Sequence, residues 1–174
     1  MSKVLLSLML FGVPTVCWSA APMMTVNYSG ILVAEPCVIP PGEESLELDF
    51  GLVIDKYLYL NQRTPGKVFF LKLTECDISL GETVSISFGG TESAALPGLL
   101  AINSKTVSGI AIGLESASGE LLPLNQLSKK LRLKPGSNII TLNAYIRGEP
   151  EAIKNKKIGR GQFSALTTFQ LSYE

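Results

Sequence analysis

Apolar and polar residues alternate along most of this chain, and the dominant period is two. The stretches VFFLKLTE (Val68 to Glu75), TVSISFGG (Thr83 to Gly90), SGIAIGLES (Ser108 to Ser116) and NIITLNAYI (Asn138 to Ile146) are rich in Val, Ile, Phe and Thr, as half-buried strands are. Turn chemistry separates them: PPG at Pro40 to Gly42, TPG at Thr64 to Gly66, LPG at Leu96 to Gly98, SGE at Ser118 to Glu120 and KPG at Lys134 to Gly136. Many short strands at this spacing predict an all-β sandwich or barrel. EPEAIKNKK, Glu149 to Lys157, reads as a short helical turn or a loop. No repeat, low-complexity tract or linker breaks the pattern, so one domain is expected.

The two ends of the pattern raise a question of partners. GQFSALTTFQLSYE, Gly161 to Glu174, predicts a strand with Phe163, Ala165, Thr167, Phe169, Leu171 and Tyr173 on one face. Such a strand pairs on both sides or leaves an edge. At the other end, APMMTVNYSGILVAEPC places Met24, Val26, Tyr28, Gly30 and Leu32 at alternate positions. That stretch is either the first strand of the sandwich or an apolar-faced extension able to lie beside a terminal strand in another copy or a relative.

Composition narrows the class. A chain of 174 residues with 46% hydrophobic and 17% charged residues has the material for a real core. The formal net charge of +0 gives no electrostatic case for nucleic acid or an anionic membrane surface. Lys3, the apolar run VLLSLMLFGVPTVCW and the small residues Ser19, Ala20 and Ala21 follow the order of a secretory signal peptide. Residues 1–21 are therefore expected to be removed, with cleavage between Ser19 and Ala21. No later stretch is apolar for long enough to insert in a bilayer as a helix.

Loss of that segment changes the chemistry available. Cys17 leaves with it, so the 3 cysteines become Cys37 and Cys76, an even number in an oxidising compartment and a natural disulfide. Closing that loop contributes about 4 kcal/mol in the chain-entropy model. Trp18, the single tryptophan, also leaves, and the chain has no histidine. Without histidine there is no ordinary Ser/His/Asp or Cys/His relay and no His-based zinc site. The acids Glu43 with Glu44, and Glu47 with Asp49, read as solvated rather than as a catalytic pair. Tyr57 and Tyr59 read as strand-face or core residues rather than a sugar-stacking platform. The basic stretches Lys129 to Lys134, and Lys154, Lys156, Lys157 and Arg160, read as solvated surface, with a partner-facing patch as the alternative. A non-enzyme without cofactor or metal is expected.

The set of features, taken in order, resembles the pilin subunits of the bacterial chaperone-usher pathway across essentially the whole mature chain. The resemblance rests on Val26-x-Tyr28-x-Gly30-x-Leu32, on Cys37 with Cys76, and on a terminal motif with Gly161 fourteenth from the end and Tyr173 penultimate. FGGTESAALPG, Phe88 to Gly98, resembles minor adaptor subunits that link the adhesive tip of P-type pili to the rod. The family's fold is an incomplete immunoglobulin-like sandwich lacking its last strand. The resemblance implies a donor-strand extension at 22–36 and a pilin domain at 37–174. It further implies a groove beside Gly161 to Tyr173, filled first by a periplasmic chaperone and then, at the outer-membrane usher, by a neighbouring subunit's extension. Met24, Val26, Tyr28 and Leu32 would insert, Gly30 would hold the position where a side chain obstructs docking, and the C-terminal carboxylate of Glu174 would be held by basic groups in the chaperone cleft. Tyr28 departs from the commoner Phe and brings a hydroxyl that needs a partner. The product would be a cell-surface fimbrium. A pilus terminator and a free-standing secreted binding module are the alternatives.

Overall fold

A computed structural model describes residues 24–174, so the expected signal peptide lies outside the described residues. The chain divides into two units, Met1–Leu32 and Val33–Glu174. Val33 to Pro36, counted above with the extension, thus group with the folded body.

In that body the period-two stretches become strands nearly where expected. The elements are α1 (Asp55–Asn61), β1 (Lys67–Cys76), β2 (Thr83–Gly89), β3 (Leu100–Ala101), β4 (Ile110–Ser116), β5 (Leu131–Arg132), β6 (Gly136–Gly148), α2 (Pro150–Lys154) and β7 (Thr168–Tyr173). They form a four-stranded sheet of order β1-β6-β4-β3 and a three-stranded sheet of order β5-β2-β7. Leu71 and Leu73 of β1, Ile110, Ile112 and Leu114 of β4 and Ile140, Leu142, Ala144 and Ile146 of β6 meet Val84, Ile86 and Phe88 of β2 in one core. Burial of alternate residues sets the register, because a one-residue slip would turn each of these faces to water.

A second, smaller cluster covers the outer face of the large sheet. Tyr145 is buried there with Leu96, Leu99 and Ala111, and a Cβ on Gly113 would fall 2.2 Å from its ring. Glycine at 113 therefore makes the space for the tyrosine. The guanidinium of Arg63 stacks 3.6 Å from the same ring centroid and donates to both carboxylate oxygens of the buried Glu115 at 3.0 and 2.9 Å. This stacked, bidentate arrangement suits arginine rather than lysine.

Three local expectations are corrected. DKYLYLN is α1, not a strand: Leu58 is its buried side chain, and Gln62 closes it in the left-handed region. Tyr59 is half-buried and its hydroxyl accepts from the Ile158 amide at 3.1 Å, whereas Tyr57 is exposed. The pilin domain, expected to begin at Cys37, opens not with a strand but with a single antiparallel bridge between Val38 and Thr74. The terminal strand begins at Thr168 rather than Gly161. Before it, Ser164 exchanges both backbone hydrogen bonds with Asn103, but no continuous ladder forms. The ambiguous EPEAIKNKK contains α2, with proline in its first turn.

Candidate functional site: an open sheet edge

β7 is paired on one side. Its partner is β2, from Val84 opposite Tyr173 to Gly89 opposite Thr168, and among the described residues it has no strand on its other side. The face expected from the sequence persists beyond the regular strand: Phe163, Ala165, Thr167, Phe169, Leu171 and Tyr173 are each half-buried, and the intervening Ser164, Leu166 and Thr168 are exposed. The apolar members of this strip pack on the core beneath them but retain access to solvent. Core strands such as β4, by contrast, bury their apolar face completely.

A second row, Ile39, Leu48, Phe50 and Val53, is also half-buried and packed on the same core. No backbone hydrogen bond joins this stretch to β7 among the described residues. Val53 and Phe163, one from each row, line the same cavity, and the open side of β7 is the candidate trough. At one end, Pro36 lies near Gly81, which also neighbours Tyr173. Burial raises the Tyr173 phenol above its ordinary value, with the Glu35 carboxylate adding to the shift. At the other end a cavity of about 210 Å³ is lined by Val53, Leu58, Val107, Ile110, Ile158 and Phe163.

Polar contacts frame both ends. Asp55 and Arg160 border the cavity and form an ion pair at 2.6 Å. That hydrogen bond holds the Asp55 carboxyl below the usual aspartate range. Gly161 sits at φ +145, and a Cβ there would stand 2.2 Å from Thr106 Oγ1, so the motif glycine answers a close approach between loops. At the other end the backbone carbonyl of Glu174 accepts from the amides of Glu82 and Thr83, and its side chain pairs with Lys130 at 2.5 Å. The disulfide joins Cys37 to Cys76 and ties the segment entering the trough to the end of β1.

Met24, Val26, Tyr28 and Leu32 are exposed, Met24 to Leu32 has no assigned secondary structure, and a Cβ on Gly30 would meet nothing within 4 Å. The basic stretches are partly neutralised: Lys129 pairs with Glu120, Lys130 with Glu174, Arg132 with Glu82, and Lys154 with Glu151. Among the acids, Glu43 pairs with Lys72, while Glu44 and Asp49 accept backbone amides of their own turns. The cavity and the Asp55–Arg160 clasp escaped the sequence reading, because no local pattern links residues 105 positions apart.

An immunoglobulin-like sandwich that ends in a half-covered edge strand, with an apolar-faced segment ahead of its disulfide, has a match. The Fimbrial protein family matches residues 24–174. The chain belongs to that family. Fimbria A protein of Serratia marcescens is 28% identical over 149 residues, covering 86% of this chain and 83% of the relative. The fimbrial adapter PapK of Escherichia coli is 29% identical over 154 residues, covering 85% of this chain and 86% of the relative. Among solved structures, the P pilus rod subunit PapA superposes with a TM-score of 0.70 at 23% identity, over 80% of this chain and 100% of that one. A subunit in a structure of a chaperone-usher pilus superposes equally well, with a TM-score of 0.70 at 23% identity, over 93% of this chain and 100% of that one. At that identity the structures establish the pilin fold. Family and fold together make the chain a structural subunit of chaperone-usher type, exported and part of a cell-surface fimbria.

Proposed function

We propose that this fimbrial subunit is an internal link of its fibre. The trough beside β7 takes a strand from a neighbour, and the subunit's own Met24 to Leu32 is the strand it gives to the next. The half-burial of alternate residues from Phe163 to Tyr173 along a one-sided edge carries this reading. A strand laid there gains main-chain hydrogen bonds and places alternate side chains in the trough. Burying four or five of them is worth about 6 to 15 kcal/mol before ordering costs, comparable with the stability of a whole domain. An open apolar edge of this kind is an aggregation hazard, so a periplasmic chaperone lends a strand until the outer-membrane usher exchanges it.

The finer role is that of a minor adaptor, supported by the likeness to the adapter PapK over most of both chains. The cavity beside Phe163 leaves room for an incoming side chain, which favours an accepting subunit over a terminator.

The test is periplasmic co-expression of the mature chain with its pilus chaperone, with and without residues 22–32. Both forms are expected to bind the chaperone, and only the form with the extension is expected to join a neighbour. A chain that folds as a stable soluble monomer with no chaperone would sink this reading and leave the secreted module.

A further inference from the structure

A second recess, of about 200 Å³, lies where the end of α1, the end of β6 and α2 meet, and its charge is unbalanced. Gln62, Arg147, Gly148, Pro150, Ile153 and Lys154 line it, none of which lines the cavity beside Phe163. We propose that this recess binds a six-carbon sugar acid, a hexuronate, with its carboxylate on the guanidinium of Arg147. The site is independent of strand exchange.

Strand pairing puts the charge there. Arg63 and Arg147 face each other in an antiparallel bridge. The Thr64 amide donates to the Ile146 carbonyl at 2.8 Å, and the Gly148 amide donates to the Gln62 carbonyl at 2.9 Å. That pattern is the closely spaced kind of pair, so both arginine side chains leave the sheet on one face, where like charges repel. Arg63 is neutralised by both oxygens of Glu115. Arg147 is half-buried, and its guanidinium makes no hydrogen bond or ion pair among the described residues. A charge partly drawn from water without a counter-ion is costly, and an anion in the recess removes that cost. Lys154 adds a second positive charge, opposed by Glu151 at 3.8 Å. The Glu149 carboxylate accepts instead from Ser93 Oγ at 3.4 Å.

The lining narrows the ligand. A guanidinium takes a carboxylate through two parallel hydrogen bonds. The wall beside it is apolar: a Cβ on Gly148 would fall 2.8 Å from Ile153, so glycine there lets Ile153 lie against the end of β6. Ile153 and Pro150 suit the carbon face of a pyranose ring better than a bare inorganic ion. Gln62, the left-handed C-cap of α1, is exposed, and its side-chain amide both donates and accepts, as ring hydroxyls require. The volume is below the roughly 300 Å³ at which sites for drug-sized ligands begin. It holds one six-carbon ring and is too small to enclose a nine-carbon acid.

Amide-correlation NMR of the mature chain, titrated with sodium glucuronate against sodium chloride at equal ionic strength, tests the site. Saturable shifts are expected at the amides of Gln62, Gly148 and Ile153 and at Nε of Arg147, with a dissociation constant of about 1 mM. Arg147→Lys keeps the charge but loses the two-pronged geometry, and should weaken binding about tenfold. Lys154→Gln, at an exposed helix position that leaves the fold intact, should weaken it about threefold. Hyaluronan carries the same acid inside a chain. With the glucuronate shifts in place, the same response to it supports the site and shows that an internal residue is read, and no response supports a site for the free or terminal acid. Absence of saturable shifts, or an unchanged affinity in both variants, would overturn the proposal. Equal binding of glucose would remove the carboxylate from it. An equal response to inorganic phosphate would reduce the recess to a general anion patch, and tighter binding of N-acetylneuraminate would refute the argument from size.

Discussion

The carboxylate of Asp55 accepts two hydrogen bonds from the guanidinium of Arg160, at 2.9 and 2.6 Å, across 105 residues of sequence. The pair joins the first turn of α1 to the loop that leads into the terminal segment, and both residues border the cavity at the end of the trough. Leu58, three residues beyond Asp55, lines the same cavity and is the buried side chain of α1. The clasp therefore bridges the two sides of that cavity.

Acid is expected to release this clasp. Arg160 lowers the folded-state value of Asp55, so the pair's contribution is complete above the ordinary aspartate value of about 4. It is lost as pH falls through the lowered folded value. Hydrogen exchange of the α1 amides should accelerate below about pH 4, beyond the change shown by β6. In Asp55→Asn that extra acid response should vanish. An unchanged acid response in the variant would assign it to other carboxylates.

Glu115→Leu tests the outer-face cluster. Glu115 is 7% exposed, and its removal leaves Arg63 over Tyr145 without its anion. We expect a loss of about 2 kcal/mol in urea unfolding, below the full cost of breaking a buried pair because Arg63 keeps access to water. Arg63→Lys should recover little of the bidentate geometry and cost about 1 kcal/mol.

Replacing Cys37 and Cys76 together by serine should cost about 2 to 5 kcal/mol, and thiol titration of the unaltered mature protein should find no free cysteine. The bond closes a separation of 39 residues and anchors the start of the flank that includes Leu48 and Phe50. Two titratable thiols in the exported protein would contradict the bond.

Gly30→Leu separates folding from assembly. An added side chain meets nothing within 4 Å, so thermal unfolding of the chaperone-bound subunit should be unchanged while incorporation into fibres is lost. Loss of the fold itself would instead make the extension a strand of its own domain.

Deleting Tyr173 and Glu174 removes the backbone bonds to Glu82 and Thr83 and the ion pair to Lys130. The shortened chain is expected to fail in chaperone capture and to be degraded in the periplasm. Co-purification with the chaperone at the yield of the full chain would count against the terminal segment as the recognition element.

Periodicity by itself determined the strands β1, β2, β4 and β6 and the apolar face from Phe163 to Tyr173, because burial on one side of a pleated strand writes itself directly as an alternation of two. The cysteine pair was equally legible once Cys17 was set aside with the expected leader, and the terminal and N-terminal alternations carried the likeness to pilins. Tertiary structure decided what alternation cannot encode. DKYLYLN became a helix because Leu58 finds a buried site beneath it, although its tyrosines favour strands. The stretch before Thr168 keeps alternate burial without a ladder, since burial follows side-chain direction whereas a ladder needs a neighbour's backbone in register. Asp55 found Arg160, and Arg63 found Glu115, through the folding of distant segments onto one another, and no window of sequence contains both members of either pair. The trough follows from the same cause: a missing strand is a property of what lies beside β7, and sequence order does not record spatial neighbours.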